Sequence, residues 1–340
     1  MSTSPQPQAP NPILVFEALN AYQRTSTLRG AIELDLFTVI GEGSSTANAI
    51  AARVGASEKG IRVLCDYLTI GGFLQKRDMA YSLTPDSAAF LDRRSPGYIG
   101  SIAGFLGLAQ KSGAFDDIAA LVRKGGTLLG EKGAIEDENP IWVEFARSMG
   151  PIMAMPADLI GQMVAAEPGS KRRVLDIAAG HGRFGIGVAQ RNPGAHITAL
   201  DWAPVLEVAK ENARAAGIAD RHSTVAGSAF EADFGSGYDV VLLTNFLHHF
   251  DPPTCEKLLR KVHAALAPGG IVVTLEFIPD DDRVSPPFHA AFSLVMLAMT
   301  PSGDAYTFRE FDRMFRNAGF TRNEMRPLAP SPHRVIVSYK

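Results

Sequence analysis

The chain has 340 residues, of which 46% are hydrophobic, so it can bury a full core and is long enough for two domains. Its formal net charge is −3, with no block of like charges, which gives no support to a nucleic acid or a membrane surface as partner. No apolar run reaches membrane-spanning length. We therefore expect a small-molecule ligand.

The N-terminus and the cysteines bear on location and metal content. Residues 1–11 are predicted to be disordered, and their composition lacks the charge and the apolar core of a signal peptide. Cys65 and Cys255 lie far apart and outside any metal-ligand spacing, which favours a reducing compartment. We expect a cytoplasmic protein without a bound metal.

Residues 12–100 have the pattern of a winged helix. Apolar residues recur at three- and four-residue steps from Pro12 to Ile40, which predicts amphipathic helices of the kind that often pack on a second copy. A helix after Thr46 and a helix capped by Ser57 follow, and then two short strands, 73–76 and 81–83. A DNA-binding regulator is one interpretation. Because the segment carries nine basic and nine acidic residues, a homodimerisation scaffold is favoured.

Residues 101–165 read as a helical linker or lid region. Phe145, Met149 and Met153 fall on or near one helical stripe at the end of this region. Such a stripe is usually ordinary core. The alternative interpretation is that Phe145, Met149 and Met153 form a lid or wall over a crevice, where Phe145 and Met149 would contact the substrate.

Residues 166–340 begin with the stretch around which the chain is organised, from Arg173 to Asp201. A short apolar run breaks into closely spaced glycines and resumes with helical periodicity, which indicates strand, tight turn and helix. The next apolar run ends in Asp201. Ligands of open α/β sheets lie beyond the carboxyl ends of the strands, so the turn and Asp201 are predicted to share a nucleotide-type crevice.

Charge narrows the choice of nucleotide. Gly180, Gly182 and Gly185 satisfy G-x-G-x-x-G, so an NAD-dependent oxidoreductase is a possible interpretation. Asp176 argues against it, because a carboxylate beside the turn favours an ammonium or sulfonium over a pyrophosphate. Arg183 is the one residue here that favours a phosphate.

Three further strands are predicted to deliver polar residues to the same edge. Residues 223–226 lead to Ser228, Ala229 and Phe230, and residues 238–244 lead to Thr244 and the loop that holds His248. Asp251 caps the helix that follows, and a turn at 268–270 precedes a strand, 271–275, that ends at Glu276.

The C-terminal part contains an apolar helix, 288–299, and a closing pair of strands, 322–325 and 335–339, the last of them antiparallel. The position of the helix after the fifth strand favours walls for an aromatic substrate. Its candidate contacts are Phe292, Met296, Met299 and His289.

This order of motifs resembles the class I S-adenosylmethionine-dependent methyltransferases, and over nearly the whole chain it resembles the small-molecule O-methyltransferases of the plant caffeate and bacterial polyketide types. The resemblance implies a doubly wound, Rossmann-like α/β sheet of seven strands, preceded by a helical, winged-helix dimerisation domain. It implies S-adenosylmethionine as cofactor and a small, aromatic hydroxyl compound as acceptor.

The resemblance also implies residue roles. Asp176, Gly180 and Gly182 match the turn around the methionine part of the cofactor, and Asp201 matches the carboxylate that binds the ribose. Trp202 is placed beside the adenine, with Ser228, Ala229 and Phe230 at its edge, and Thr244 reaches the cofactor. His248 matches the catalytic histidine, and Glu276 matches the carboxylate that orients it.

The chain departs from the family pattern at several positions. Ala178 replaces the usual first glycine, Ser228 a common aspartate, and His249-Phe250 the usual Asp-Trp. The second supporting glutamate of the plant enzymes is Ala305, next to Asp304. These departures leave open C- or N-methylation, and a cofactor-binding enzyme that does not methylate. The identity of the acceptor is also left open.

Overall fold

The computed structural model describes residues 10–167 and 169–340, without the side chains of 108–111. Two compact units make up the chain, the first ending at Ala103 and the second extending from Gly104 to Lys340. The finer division at residues 100 and 165 stays a prediction. The predicted disorder of residues 1–9 lies outside the described residues.

The first unit is helical with one hairpin. Its elements are α1 (Ile13–Glu33), α2 (Leu36–Gly41), α3 (Ala47–Val54), α4 (Glu58–Ile70), β1 (Leu74–Arg77), β2 (Ala80–Leu83) and α5 (Pro85–Phe90). Ser57 caps α4 as predicted, because its hydroxyl accepts the N–H of Gly60 at 3.1 Å. β1 and β2 pair antiparallel, so helix, helix and hairpin follow in the order that the sequence predicts.

Helices continue after the first unit. They are α6 (Ile102–Lys111), α7 (Ile118–Lys124), a 3₁₀ turn at Gly133–Ile135, α8 (Ile141–Met149) and α9 (Ala154–Met163). α9 packs on the first helix of the sheet domain so closely that a Cβ on Gly161 would lie 2.4 Å from the carbonyl oxygen of Gly187. Only glycine permits this approach of two backbones.

The sheet contains seven strands flanked by helices. In chain order the elements are β3 (Arg172–Ile177), α10 (Arg183–Arg191), β4 (Ala195–Asp201), α11 (Ala203–Ala215), β5 (His222–Ala226), β6 (Tyr238–Thr244), α12 (Pro252–Ala265), β7 (Leu266–Glu276), α13 (Pro287–Ala290), α14 (Phe292–Met299), α15 (Phe308–Asn317), β8 (Arg322–Pro327) and β9 (Arg334–Tyr339). The spatial order is β5-β4-β3-β6-β7-β9-β8. Because β9 alone lies antiparallel to both of its neighbours, the predicted seven-stranded fold is confirmed.

This topology fixes where a ligand binds. The chain winds from β3 outward to β5 on one side and then returns to β6 on the other, so the order reverses between β3 and β6. A crevice opens at such a switch point beyond the carboxyl ends of the strands. Asp176 and Asp201 lie at the ends of β3 and β4, and Glu276 ends β7.

Two predicted boundaries are wrong. β7 begins at Leu266 instead of Ile271, because the predicted turn residues 268–270 are part of the strand. The pairing of β7 with β6 accommodates them by a shift in register between Tyr238 and Val240. The apolar helix 288–299 is divided at Ala291 into α13 and α14. In the part of the chain that the structure describes, no helix combines the length and the apolar character needed to cross a membrane.

Candidate functional site

The turn after β3 is built from left-handed backbone. Ala178, Gly180 and Gly182 have φ values of +54°, +55° and +69°. Glycine adopts this conformation without cost, whereas alanine does not, so Ala178 holds local strain at the end of a buried strand. At Gly182 an added Cβ would lie 3.1 Å from the Cβ of Ala209, so this glycine also allows α10 to approach α11.

Two buried carboxylates lie at this turn. The N–H of Gly185 donates to Asp176 Oδ2 at 3.0 Å, and Asp176 Oδ1 is buried without a hydrogen-bond partner among the described residues. The N–H groups of Gly180 and Trp202 donate to the two oxygens of Asp201, at 2.8 and 2.7 Å. The sequence predicts that the turn and Asp201 lie close together, and the hydrogen bond from Gly180 to Asp201 confirms this.

Burial perturbs both acids. Burial, opposed by the bond from Gly185 and assisted by the negative charge of Asp201, raises the pKa of Asp176 to about 7. Burial also raises the pKa of Asp201 to about 6. A cation at this edge would favour the ionised form of both groups, so the pair is suited to a positively charged ligand.

Arg183 and His181 line the next part of the turn. Arg183 is half-buried, and its Nε is shielded from solvent without a partner in the described chain, so the side chain does not simply point into solvent. Burial lowers the pKa of His181 to about 3, so this imidazole is neutral, and its Nδ1 accepts the N–H of Arg183 at 3.1 Å.

Phe145 covers the turn from α8. A Cβ on Gly180 would lie 4.0 Å from Phe145 Cε1, and the ring makes edge contacts with Phe105 and Trp142 at centroid distances of 5.2 and 5.8 Å. Phe145 therefore lies where the wall interpretation expects it.

The loop after β5 is held by a lysine that the sequence analysis did not identify. Lys261 Nζ on α12 donates to the carbonyl oxygens of Ala229, Phe230 and Ala232, and lies 4.4 Å from the ring centroid of Phe234. Ser228 Oγ accepts the N–H of Phe230 at 3.3 Å. A lysine inside an otherwise ordinary amphipathic helix gives no sequence signal of this role.

The end of β6 contains a third unpaired polar group among the described residues. Thr244 is buried, and Asn245 follows it with φ +53° and with a buried Oδ1 that no group in the described residues bonds. Asparagine tolerates left-handed backbone better than most residues, which is the only hint that the sequence offers here. Asn245 is thus a site residue that the sequence analysis left without a role.

His248 and Glu276 form a tightly bonded pair beyond β6 and β7. His248 lies in the 3₁₀ turn Leu247–His249, and its Nδ1 is 2.5 Å from Glu276 Oε2. The N–H groups of Phe246, Leu247 and His248 all converge on Glu276 Oε1, at 2.9, 2.8 and 3.4 Å. Glu276 is fully buried, so it is not a solvated end of a strand.

This pairing sets the protonation of the imidazole. Because a carboxylate oxygen accepts hydrogen bonds, Nδ1 of His248 is the nitrogen that carries the proton. Nε2 then has a free lone pair, and none of the described residues hydrogen-bonds to it. The arrangement is that of a general base oriented by a buried acid.

Aromatic rings surround His248. Phe292 of α14 meets its imidazole edge-on at a centroid distance of 4.9 Å and stacks on Phe277 at 3.8 Å. The ring centroid of His249 lies 4.2 Å from that of His248, and burial lowers the pKa of His249 well below its ordinary value. The surroundings are apolar or neutral, which suits an aromatic ligand.

Several predicted contacts are not brought to this site. His289 is buried, its Nδ1 accepts the N–H of Ile278 and its Nε2 donates to the carbonyl of Pro332, so neither nitrogen is free for a substrate. Met299 packs in a core cluster with Leu121 and Ala134. Met153 is a core residue on which Met149 packs, in agreement with the ordinary role of such stripes.

The positions of two other predicted residues are less specific. Trp202 precedes α11 and packs with Ala146, Val205 and Trp142, and its place beside an adenine stays a prediction. Met296 is buried, and its role as a substrate wall also stays a prediction. Across residues 10–167 and 169–340, no three His, Cys, Asp or Glu side chains converge as a metal site.

Comparison with known proteins identifies related chains. The family profile described as the O-methyltransferase domain matches residues 143–321, and the profile described as the O-methyltransferase dimerisation domain matches residues 16–93. The chain is 28% identical to a 3-hydroxy-5-methyl-1-naphthoate 3-O-methyltransferase of Streptomyces sahachiroi, over 98% of this chain and 97% of the relative.

Solved structures agree with the profiles. A proposed O-methyltransferase of Nostoc punctiforme is 52% identical and superposes with a TM-score of 0.94, covering 98% of this chain and 100% of its own. Human N-acetylserotonin methyltransferase, solved in complex with S-adenosylmethionine, superposes with a TM-score of 0.83 over 98% and 99% of the two chains. Because its identity is 22%, this second likeness concerns the fold alone.

Proposed function

The chain belongs to the O-methyltransferase family, and we propose that it methylates a phenolic hydroxyl of a small molecule with His248 as the general base. The observation that carries this proposal is the pair of His248 and Glu276, 2.5 Å apart and buried. A buried base with a fixed tautomer is needed where a hydroxyl has to lose its proton during the reaction.

The residues of the turn fit the cofactor of the family, S-adenosylmethionine. Asp176 Oδ1 is a buried acceptor without a partner in the described chain, which suits the ammonium of the methionine end. Asp201, held by Gly180, would accept the ribose hydroxyls. When bound, S-adenosylmethionine supplies a methyl group on a cationic sulfur that departs as a neutral thioether once the acceptor oxygen bonds the methyl carbon.

The protein contributes alignment and proton removal. Holding the acceptor oxygen in line is worth up to about 7 to 11 kcal/mol in well-oriented systems. Nε2 of His248 takes the hydroxyl proton, and Glu276 stabilises the resulting imidazolium through Nδ1. The stacked rings of Phe292 and Phe277 would hold an aromatic acceptor beside the imidazole.

The apolar surface of the first unit supports a homodimer as the working form. Ile13, Leu14, Phe16, Leu19 and Tyr22 of α1 are each more than half exposed, and the last three of them lie within the segment that matches the dimerisation profile. Contiguous apolar surface of this kind marks an interface. Sedimentation equilibrium should give twice the chain mass, and a monomer at micromolar concentration would contradict the proposal.

Mass spectrometry of reaction mixtures tests the activity. The protein is incubated with S-adenosylmethionine and a panel of phenols, carboxylic acids and amines, and both the methylated product and S-adenosylhomocysteine are quantified. The proposal predicts that one or more phenols gain one methyl group on oxygen, with an equal amount of by-product. Methyl transfer only to nitrogen or carbon, or by-product without any methylated acceptor, would contradict it.

A further inference from the structure

The turn between β3 and α10 contains two unpaired polar atoms of opposite character. Asp176 Oδ1 is an acceptor and Arg183 Nε is a donor, and both are shielded from solvent without a hydrogen-bond partner in the described residues. Buried polar groups in folded proteins almost always have a partner. Asp176 and Arg183 lie on either side of the same glycine turn. Two unpaired groups of opposite charge at one turn indicate a ligand with both a cationic and an anionic group.

Asp176 provides the negative half. Its side chain has no exposure, and the only hydrogen bond it receives from the described residues is the one from the N–H of Gly185 to Oδ2. Among the described residues, no lysine or arginine forms an ion pair with it, and Asp201 is the charged group whose field reaches it. Oδ1 is therefore available for an ammonium donor.

Arg183 provides the positive half. It is the first residue of α10, directly after Gly182, and no carboxylate of the described residues forms an ion pair with it. The neighbouring Arg147 is engaged with Glu211, and His181 is neutral. The positive end of the α10 helix dipole adds to the field of Arg183, which favours an anion there.

The surroundings place Arg183 on the covered side of the turn. A Cβ on Gly150, just after α8, would lie 3.7 Å from Arg183 Nε and 3.6 Å from His181 Cβ. Phe145 of the same α8 covers Gly180. Gly180 of the turn and Arg183 thus both lie close to α8 and the residue that follows it.

We propose that Asp176 and Arg183 form a clamp for the α-amino acid end of the cofactor, with Asp176 accepting from the ammonium and Arg183 donating to the carboxylate. A planar guanidinium pairs well with a carboxylate, and such charge-assisted bonds are the stronger ones. The inference rests on the proposed function for the identity of the cofactor. It gives Arg183 a role in binding the carboxylate of the cofactor, whereas the glycine pattern of the turn gives this residue none.

Calorimetry with three adenosine compounds tests the clamp. S-adenosylhomocysteine carries both charged groups, decarboxylated S-adenosylmethionine lacks the carboxylate, and methylthioadenosine lacks both. For Arg183→Met we expect at least about tenfold weaker binding of S-adenosylhomocysteine and unchanged binding of the other two. For Asp176→Asn we expect weaker binding of the two compounds with an ammonium. Arg214→Met, at an exposed arginine of α11, is the matched control.

Each result decides the inference. Unchanged binding of S-adenosylhomocysteine by Arg183→Met would overturn it, and so would an equal loss for methylthioadenosine, which would indicate damage to the whole turn. If Arg183→Lys binds S-adenosylhomocysteine more tightly than Arg183→Met does, the positive charge at this position contributes to the affinity. Failure of the unmodified protein to bind S-adenosylhomocysteine would contradict the proposed function itself, which separates the two failures.

Discussion

The two ends of the crevice differ in how complete they are. At one end, both oxygens of Glu276 are bonded, one to His248 and one to three backbone N–H groups. At the other end, Asp176 Oδ1 and Arg183 Nε are buried and have no partner within the described residues. The acid-base end is satisfied by the chain itself, whereas the glycine turn is complementary to something that the chain does not supply.

The difference indicates that the His248–Glu276 end is preorganised for chemistry and that the glycine turn recognises the cofactor. A base bonded to a carboxylate that itself accepts four hydrogen bonds is already in its working geometry, so changes there should alter turnover more than affinity. Unpaired groups gain their partners only on binding, so changes at the turn should alter affinity. Changes at the two ends should therefore separate effects on turnover from effects on cofactor affinity.

Removal of the base should have the largest effect. His248→Ala is expected to lower turnover by about 10² to 10⁴, because a general base contributes about that much. Binding of S-adenosylhomocysteine should be unchanged. Steady-state kinetics and calorimetry check the two expectations, with His196→Ala, an exposed histidine of β4, as control. Turnover close to that of the unmodified protein would remove His248 from its role.

Glu276→Gln should have the next largest effect. The amide is close in shape, but its NH₂ facing His248 Nδ1 would force the proton onto Nε2, which then cannot act as a base. We expect turnover to fall by about 10² or more, with the KM of the acceptor little changed. Glu167→Gln, an exposed glutamate, is the matched control. Equal turnover of the two variants would mean that Glu276 only caps the loop.

The pH dependence of cofactor binding should report on the turn. In the free protein the pKa of Asp176 is raised to about 7 and that of Asp201 to about 6, chiefly by burial. At low pH both carboxyl groups are protonated, and protonation stabilises the free protein relative to the complex. This stabilisation of the free protein is lost as pH rises through about 6 to 7. Affinity for S-adenosylhomocysteine should therefore rise about tenfold from about pH 6 to about pH 8.

Calorimetry in buffers of different ionisation enthalpy should also detect proton release below about pH 7. Asp176→Asn should flatten the dependence, because the amide does not titrate. A steep dependence that survives this substitution would assign the proton to another group. His181 is not that group, since its pKa is lowered to about 3 by burial.

The smallest effect concerns strain at the turn. Ala178 has φ +54°, so Ala178→Gly should raise the free energy of unfolding by about 0.5 to 1 kcal/mol. Ala179→Gly, at a buried neighbour outside the left-handed region, should instead lower it by a similar amount. Urea denaturation of the two variants measures the difference. Destabilisation by both substitutions would show that Ala178 is not strained.

Much of the fold could be predicted because its signals are local. The run that ends in Asp176, the glycines and the run that ends in Asp201 each specify an element, and their order allows few topologies. The two errors have a common cause. Pro268 to Gly270 have turn composition but are recruited into β7 by its neighbours, and the break at Ala291 leaves no mark on the apolar pattern.

The site could be predicted where a residue ends a strand and not where it depends on tertiary contact. Asp176, Asp201 and Glu276 were identified because strand ends converge at one edge. His289 was misassigned because its partners, the N–H of Ile278 just after β7 and the carbonyl of Pro332 between β8 and β9, are brought to it by tertiary packing. Lys261 and the unpaired Nε of Arg183 likewise depend on packing.

The most direct test measures S-adenosylhomocysteine affinity for two variants side by side by calorimetry near pH 8. If the two ends are divided between preorganised chemistry and cofactor recognition, His248→Ala binds as tightly as the unmodified protein, while Asp176→Asn binds at least about tenfold more weakly. A loss of affinity in His248→Ala with none in Asp176→Asn would contradict this division.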